Sequence, residues 1–275
     1  MILLALVSLI ISNCDSSIVQ QNQYLWCTEY CLSNTIACRI SPPDGFVREI
    51  LPDSSFGGWL RNLPLKKGRP RVMLYNGNPK VNQNAHYAVI DIDTGKKDLQ
   101  QCADAVIRLR AEYLYQRRNY SQIHFNFTSG DNMAFDDWSR GVRPIVLGPI
   151  VTFKKLKAPD SSYISFREYL DKVFNYAGTM SLHKELHHIK LSEMQIGDVF
   201  IQSGRIGHAV IVVDMAINPK TGEKLFLLVQ SYMPAQDMHI LVTPNDEISP
   251  WYGLDFSGNL QTPEWRFTDN DLYRF

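Results

Sequence analysis

The chain has 275 residues and a mass of 31.5 kDa, enough for one large domain or two modest ones. Lys plus Arg and Asp plus Glu number 28 each, so the formal net charge is zero. That balance excludes a chain-wide electrostatic footprint for nucleic acid and an acidic, disordered chain. An apolar fraction of 45% and an aromatic fraction of 11% are those of a protein with a core. The sequence has no repeat of fixed period, which argues against solenoids and propellers.

Residues 1–12, MILLALVSLIIS, carry no charge. They are too few to span a bilayer, which needs about 20 apolar residues, and suit the apolar part of a secretory signal. The run leads into Ile11-Ser12-Asn13-Cys14. This pattern resembles a bacterial lipobox, in which the Cys is acylated and becomes the mature N-terminus. The expected organisation is a signal peptide over 1–13, a polar tether over 14–23 and a single α+β domain over 24–275. The resemblance places the protein in the bacterial cell envelope, in the periplasm or at the outer membrane, held by lipid on Cys14. An ordinary signal peptide cleaved nearby, or a buried N-terminal helix, is the alternative.

Of the remaining cysteines, Cys27, Cys31 and Cys38 form a C-x3-C-x6-C cluster. Structural zinc sites take four ligands at tighter spacing. In an exported chain a disulfide between two of the three is the simpler expectation, and the sequence does not choose the pair. Cys102 stands apart from the cluster.

Residues 39–95 read as extended and turn-rich, with strands over 72–75 and 85–92. From Leu99 the period changes. Leu99, Cys102, Val106, Leu109 and Tyr113 are spaced by three or four, which predicts an amphipathic helix. Asp98 with Gln101 three residues later is a capping-box pattern for its start, making Cys102 the fourth helical residue. Strands over 123–127 and 145–153 are expected around a polar loop, 128–143. A second helix follows over 165–177, stopped by Gly178, and a short third one over 181–188. Residues 197–202, 208–214 and 225–232 then read as an antiparallel meander, with a hairpin turn at Asn218-Pro219-Lys220-Thr221-Gly222. Strands before a long helix and a meander after it make the class α+β.

A Cys near a helix start, followed by Gly197-Asp198-Val199-Phe200-Ile201 and Gly207-His208-Ala209-Val210-Ile211-Val212-Val213, resembles the NlpC-type papain-like cysteine hydrolases of bacterial envelopes. The resemblance implies a Cys-bearing helix packed on an antiparallel sheet, with insertions. It also implies a nucleophile at Cys102, a general base at His208 and an orienting group at Gln230. The segments 98–114, 207–216 and 230–236 are similar to the core of an uncharacterised bacterial envelope family, domain of unknown function 4846. That likeness covers most of residues 40–275 and brings no activity with it.

The chemistry asks for a thiol made acidic by a helix N-terminus or a partnering imidazole, and for a third group holding the ring. Asp214 lies six residues down the same strand from His208, roughly 20 Å away at ~3.3 Å per residue, and is too far to orient it. A hairpin centred near residue 220 places position 208 opposite about 232 or 233. Gln230 shares its face in one register and Ser231 in the other. Alternation does not choose, because 225–229 is apolar on both faces; the resemblance selects Gln230. A structural role competes for each residue: Cys102 lies on the apolar stripe of its helix, and His208 also suits a turn.

Other constellations are weaker. His183 and His187 would share a helical face at i, i+4, without the Glu spacing of a metalloprotease; no metal or other cofactor is expected. Asp131, Asp136 and Asp137 near Trp138 suit a polar loop. Trp251, Tyr252 and Trp265 suit either sugar stacking or a core. The expectation is therefore a lipid-anchored envelope thiol hydrolase, cleaving an amide bond in peptidoglycan peptides. The rival is a non-catalytic envelope lipoprotein that binds peptide or glycan in the same groove. Neither calls for nucleic acid.

Overall fold

A computed structural model describes residues 19–21, 23–204, 206–245 and 247–275. Its centre is an antiparallel sheet. The strands run in the order His86–Val89, His239–Leu241, Lys224–Gln230, His208–Ile217, Val199–Gln202, Leu272–Arg274, His187–His188. Two short strands extend it: Tyr252–Gly253 pairs with Lys224–Gln230, and Val47–Arg48 with His208–Ile217.

Among the described residues six helices accompany the sheet: α1 (Ile36–Arg39), α2 (Phe56–Arg61), α3 (Cys102–Gln116), α4 (Phe135–Ser139), α5 (Tyr163–Tyr176) and α6 (Thr179–Glu185). One face of the sheet carries Ala209, Ile211, Val213, Leu227 and Val229 into a core shared with α2, α3 and α5. The other carries Phe200, Val210, Val212, Phe226 and Leu228 into a second core, closed by the C-terminal segment through Tyr252, Leu260 and Phe267. The class is α+β, as the alternation of patterns predicts. The central strand is buried on both faces for nine of its ten residues, which is why its sequence shows no alternation.

Several elements differ in detail from the sequence expectation. Helix α3 begins at Cys102, and Asp98 is not its cap: Asp98 Oδ1 accepts from the backbone N–H of Ala235 at 2.7 Å. The carboxylate of Asp104 takes the N–H of Gln101 at 3.1 Å. Lying between the sheet and α5, α3 is buried nearly all round, Arg108 and Glu112 included, so the expected apolar stripe understates its burial. Residues 145–153 are two strands, Val142–Leu147 and Ile150–Lys155, turning at Gly148-Pro149. Gly148 has φ +58°, a left-handed conformation that glycine adopts without Cβ strain. The segment expected as a free tether contributes a strand, Val19–Gln21, paired with Glu29–Cys31, and Tyr24 is buried against Trp59.

The cysteine expectation is also revised. Cys27 and Cys31 are free thiols whereas Cys38 is disulfide-bonded, so no pair forms within the cluster. Cys14 lies outside the described residues.

Asp214, rejected above as an orienting group, has a structural task. It follows a register shift between Val212 and Asp214 that breaks the alternation of the central strand. Fully buried, its carboxylate takes Arg48 Nε and Arg61 Nε at 2.6 Å each and the N–H of Met215 at 2.9 Å. A buried charge survives only when its lone pairs are satisfied, and here α2 and the edge strand supply them. Asp214→Ala leaves two inward-facing guanidinium groups without a counter-ion. The expected loss is about 3–5 kcal/mol of stability in urea denaturation.

Candidate active site

Two elements bring the sequence-selected residues to one end of the sheet. Cys102 is the first residue of α3, where backbone N–H groups have no intrahelical partner. The backbone amides of Cys102, Ala103 and Ala209 lie near enough to its sulfur to favour the thiolate. Ala209 is the residue after His208, so the thiol sits against the start of the central strand. Cys102 is 7% exposed and lines a cleft of about 340 Å³, together with Asp104, Phe174, Thr179, Gly207 and Met233. A side chain at Gly207 would stand 2.5 Å from the carbonyl of Gln202 and from the Thr179 hydroxyl, so only glycine fits there.

The register Ile211↔Val229, continued to the strand end, sets position 208 opposite 232, as the hairpin arithmetic expects. His208 and Gln230 then share a face, and Ser231 takes the other. Ser231 donates its hydroxyl to the carbonyls of Gln100 and Gln236, tying the strand end to the start of α3.

The ring of His208 is nearly sealed, at 1% exposure. Tyr232, Trp265 and Phe267 surround it at 4.7, 5.2 and 5.9 Å between centroids. Its Nε2 lies 2.9 Å from Gln230 Oε1. The protons in this network can be assigned from the outside inward. His239 Nδ1 donates to the carbonyl of Asp237 at 2.8 Å, so His239 Nε2 is an acceptor. Gln230 Nε2 donates to it at 3.2 Å and to Glu264 Oε2 at 2.7 Å. The remaining end of the amide, Oε1, must then accept, and His208 carries its proton on Nε2. The Nδ1 lone pair of His208 is left uncommitted among the described residues. Lys80 and Asn82 hold Glu264 in place from the other side.

His208 and Gln230 project from the sheet face opposite α3, and no hydrogen bond joins the ring to the Cys102 sulfur among the described residues. Thiol and ring adjoin through Ala209 and Tyr232, whose phenol is raised by burial, by Glu264 and by the nearby Cys102.

The electrostatics differ from those expected of an acidic thiol. Burial pushes the Cys102 thiol up to about 11; the Asp104 carboxylate adds to this, and the backbone amides only partly offset it. Burial pulls His208 down to about 4, against the Gln230 bond and the Glu264 charge, which raise it. At neutral pH the pair is thiol plus neutral imidazole, not thiolate plus imidazolium.

Glu264, His239 and Lys80 escape the sequence reading. Only the carboxylate beside Trp265, in Pro263-Glu264-Trp265, gives a signal, and a weak one. Of the aromatic candidates, Trp265 packs on His208 while Trp251 and Tyr252 are core. The expected His183/His187 helical face is not formed, because α6 ends at Glu185 and His187 lies in a strand against Arg274. Asp136 and Asp137 pair with Arg140 on α4.

The sequence itself matches one family over residues 36–274. The chain belongs to the family described as Domain of unknown function (4846). No curated protein and no solved structure matches the chain.

The buried imidazoles make the fold acid-sensitive. His239 is pulled down to about 3, chiefly by burial, and His208 to about 4, both below the ~6.5 of an unfolded histidine. Each is neutral in the fold and gains a proton on unfolding, so its contribution is full above pH ~6.5 and is lost as the pH falls towards the folded value. Denaturant titrations at pH 7.5 and 4.5 are expected to differ by about 2 kcal/mol per imidazole, and a His208→Gln variant to show the shallower acid limb.

Proposed function

We propose that the protein is an exported thiol hydrolase that cleaves an amide bond, with peptidoglycan peptide as substrate. The observation that carries this reading is the tautomer of His208: the Gln230 carboxamide occupies Nε2–H and leaves the Nδ1 lone pair free. That is the state a general base needs beside a nucleophile. Cys102, at the first turn of α3 and on the wall of a cleft, supplies the nucleophile.

In this mechanism a scissile carbonyl enters the cleft against the sulfur. The thiol and the ring lie on opposite faces of the strand end, so in this proposal they have to meet around Ala209 and Tyr232 when substrate binds. His208 Nδ1 then takes the thiol proton as the sulfur bonds to the carbonyl carbon and the carbonyl electron pair moves to oxygen. Backbone N–H groups at the start of α3 hold that oxyanion. The imidazolium returns the proton to the amide nitrogen, the C–N bond breaks, and a thioester remains on Cys102. Water, deprotonated by Nδ1, adds to the thioester and expels the thiolate, which recovers its proton from His208. Because both groups rest neutral, proton transfer accompanies attack instead of preceding it. This fits a thiol held high by burial.

Hydrolysis of soluble peptidoglycan fragments by purified protein tests the reading. Cys102→Ala is expected to abolish release of the amine product, His208→Ala to slow it by about 10²–10⁴, and Gln230→Ala to slow it less. Turnover by wild-type protein that persists in Cys102→Ala overturns the mechanism. Fragment binding by wild-type protein without turnover favours the peptide- or glycan-binding lipoprotein.

The envelope location and the lipid on Cys14 belong to the same proposal and have a separate test. Acylation needs an unpaired Cys14 thiol. With Cys27, Cys31 and Cys102 free and Cys38 disulfide-bonded, the lipid reading requires that Cys38 not take Cys14 as its partner in the exported protein. Non-reducing peptide mass spectrometry is then expected to show a diacylglycerol-modified Cys14, with membrane partitioning lost in Cys14→Ala. A linked peptide pair joining Cys14 to Cys38 would remove the anchor.

A further inference from the structure

The hairpin of Val142–Leu147 and Ile150–Lys155 is a two-stranded sheet of its own, unpaired with the central one. Its outer part is apolar where solvent should favour polar residues. Leu147 is 71% exposed and Ile150 63%, either side of the Gly148-Pro149 turn, and Phe153 is 39% exposed. Residues 144–153, PIVLGPIVTF, contain no charge and a single hydroxyl. Scattered apolar residues on a surface mean little, but a contiguous exposed run marks an interaction site. The charges begin where the apolar run stops. Arg143 precedes it and Lys154, Lys155 and Lys157 follow, with no acidic residue between 142 and 157, in a chain whose overall charge is zero. Arg143 is buried over the Trp138 ring and Lys157 faces Glu168, which leaves Lys154 and Lys155, both exposed.

We propose that this hairpin is a membrane-contact finger, whose Leu147–Ile150 tip enters the interface of an anionic bilayer while Lys154 and Lys155 meet lipid phosphates. The register places Lys154 opposite Arg143, four pairs behind the Leu147↔Ile150 pair, or ~13 Å at ~3.3 Å per pair. An interfacial element buries its apolar part ~5–10 Å deep. The lysine stems, long enough to span the remaining few ångströms, then put their ammonium groups at headgroup level. A second protein copy would meet the same apolar tip but would not call for cations without anions behind it. Among the described residues no helix is long and apolar enough to cross a membrane, so the contact would lie in the interface.

The test uses the full chain and two vesicle types, phosphatidylcholine alone and phosphatidylcholine with phosphatidylglycerol. Because the N-terminal apolar run has its own lipid affinity, a readout at the tip is needed. Ile150→Trp is expected to add a fluorescence component, quenched by acyl-brominated lipid, beyond that of the wild-type tryptophans. Lys154→Glu/Lys155→Glu is expected to lower the anionic-over-neutral preference by at least ~25-fold, about fivefold for each lysine lost. Leu147→Asp/Ile150→Asp is expected to lower partitioning to both vesicles by more than tenfold, with an unchanged unfolding midpoint. Quenching no greater than wild type, or partitioning unaffected by both double variants, overturns the proposal. Self-association in sedimentation velocity that Leu147→Asp abolishes, without any quenching at position 150, assigns the tip to a second copy instead.

Discussion

A buried carboxamide is stable only when both of its ends are bonded, and Gln230 satisfies this at the end of the sheet. Its oxygen takes His208, and its nitrogen serves His239 and Glu264. One side chain therefore links three strands and the C-terminal segment, and fixes the proton positions on two imidazoles. Rotating the amide by half a turn would set N–H groups against the Nε2–H of His208 and carbonyl oxygen against the Glu264 carboxylate. Both contacts are repulsive. The orientation of the ring at the candidate site thus follows from desolvation rather than from packing.

The same desolvation shapes the acid–base character of the site. Sealing His208 behind Tyr232, Trp265 and Phe267 makes its charged form costly, and sealing Cys102 under the strand start does the same to the thiolate. A helix N-terminus lowers a thiol pKa when the sulfur is wet enough to ionise. Here three backbone amides at the sulfur are outweighed by burial and by the Asp104 carboxylate. The result is two neutral groups, one on either side of a strand end.

Charge is handled differently at the other end of the molecule. Asp214 is accommodated in full burial by two guanidinium groups and a backbone amide that meet its carboxylate. Its bulge resets the register between the inner and outer halves of the central strand. The length of strand between the bulge and His208 is what keeps Gln230, and not Ser231, beside the ring.

The sequence by itself determined the α+β class, the helix bearing Cys102, the meander and the opposition of position 208 to about 232. These depend on local periodicity and turn chemistry, which act within a few residues. It also separated Asp214 from the site, since distance along one strand needs only the rise per residue. The face of Gln230 was not legible, because a strand buried on both sides carries no alternation; there the resemblance chose the residue and the register supports it. Tertiary structure alone decided the start of α3, where Asp98 is drawn away to the amide of Ala235. It also decided the free state of Cys27 and Cys31 and the recruitment of Glu264, His239 and Lys80. His239 and Glu264 bond Gln230 directly, and Lys80, far off in the chain, bonds Glu264. Their meeting is set by the need to satisfy one buried amide, a requirement that exists only once the sheet has closed around it.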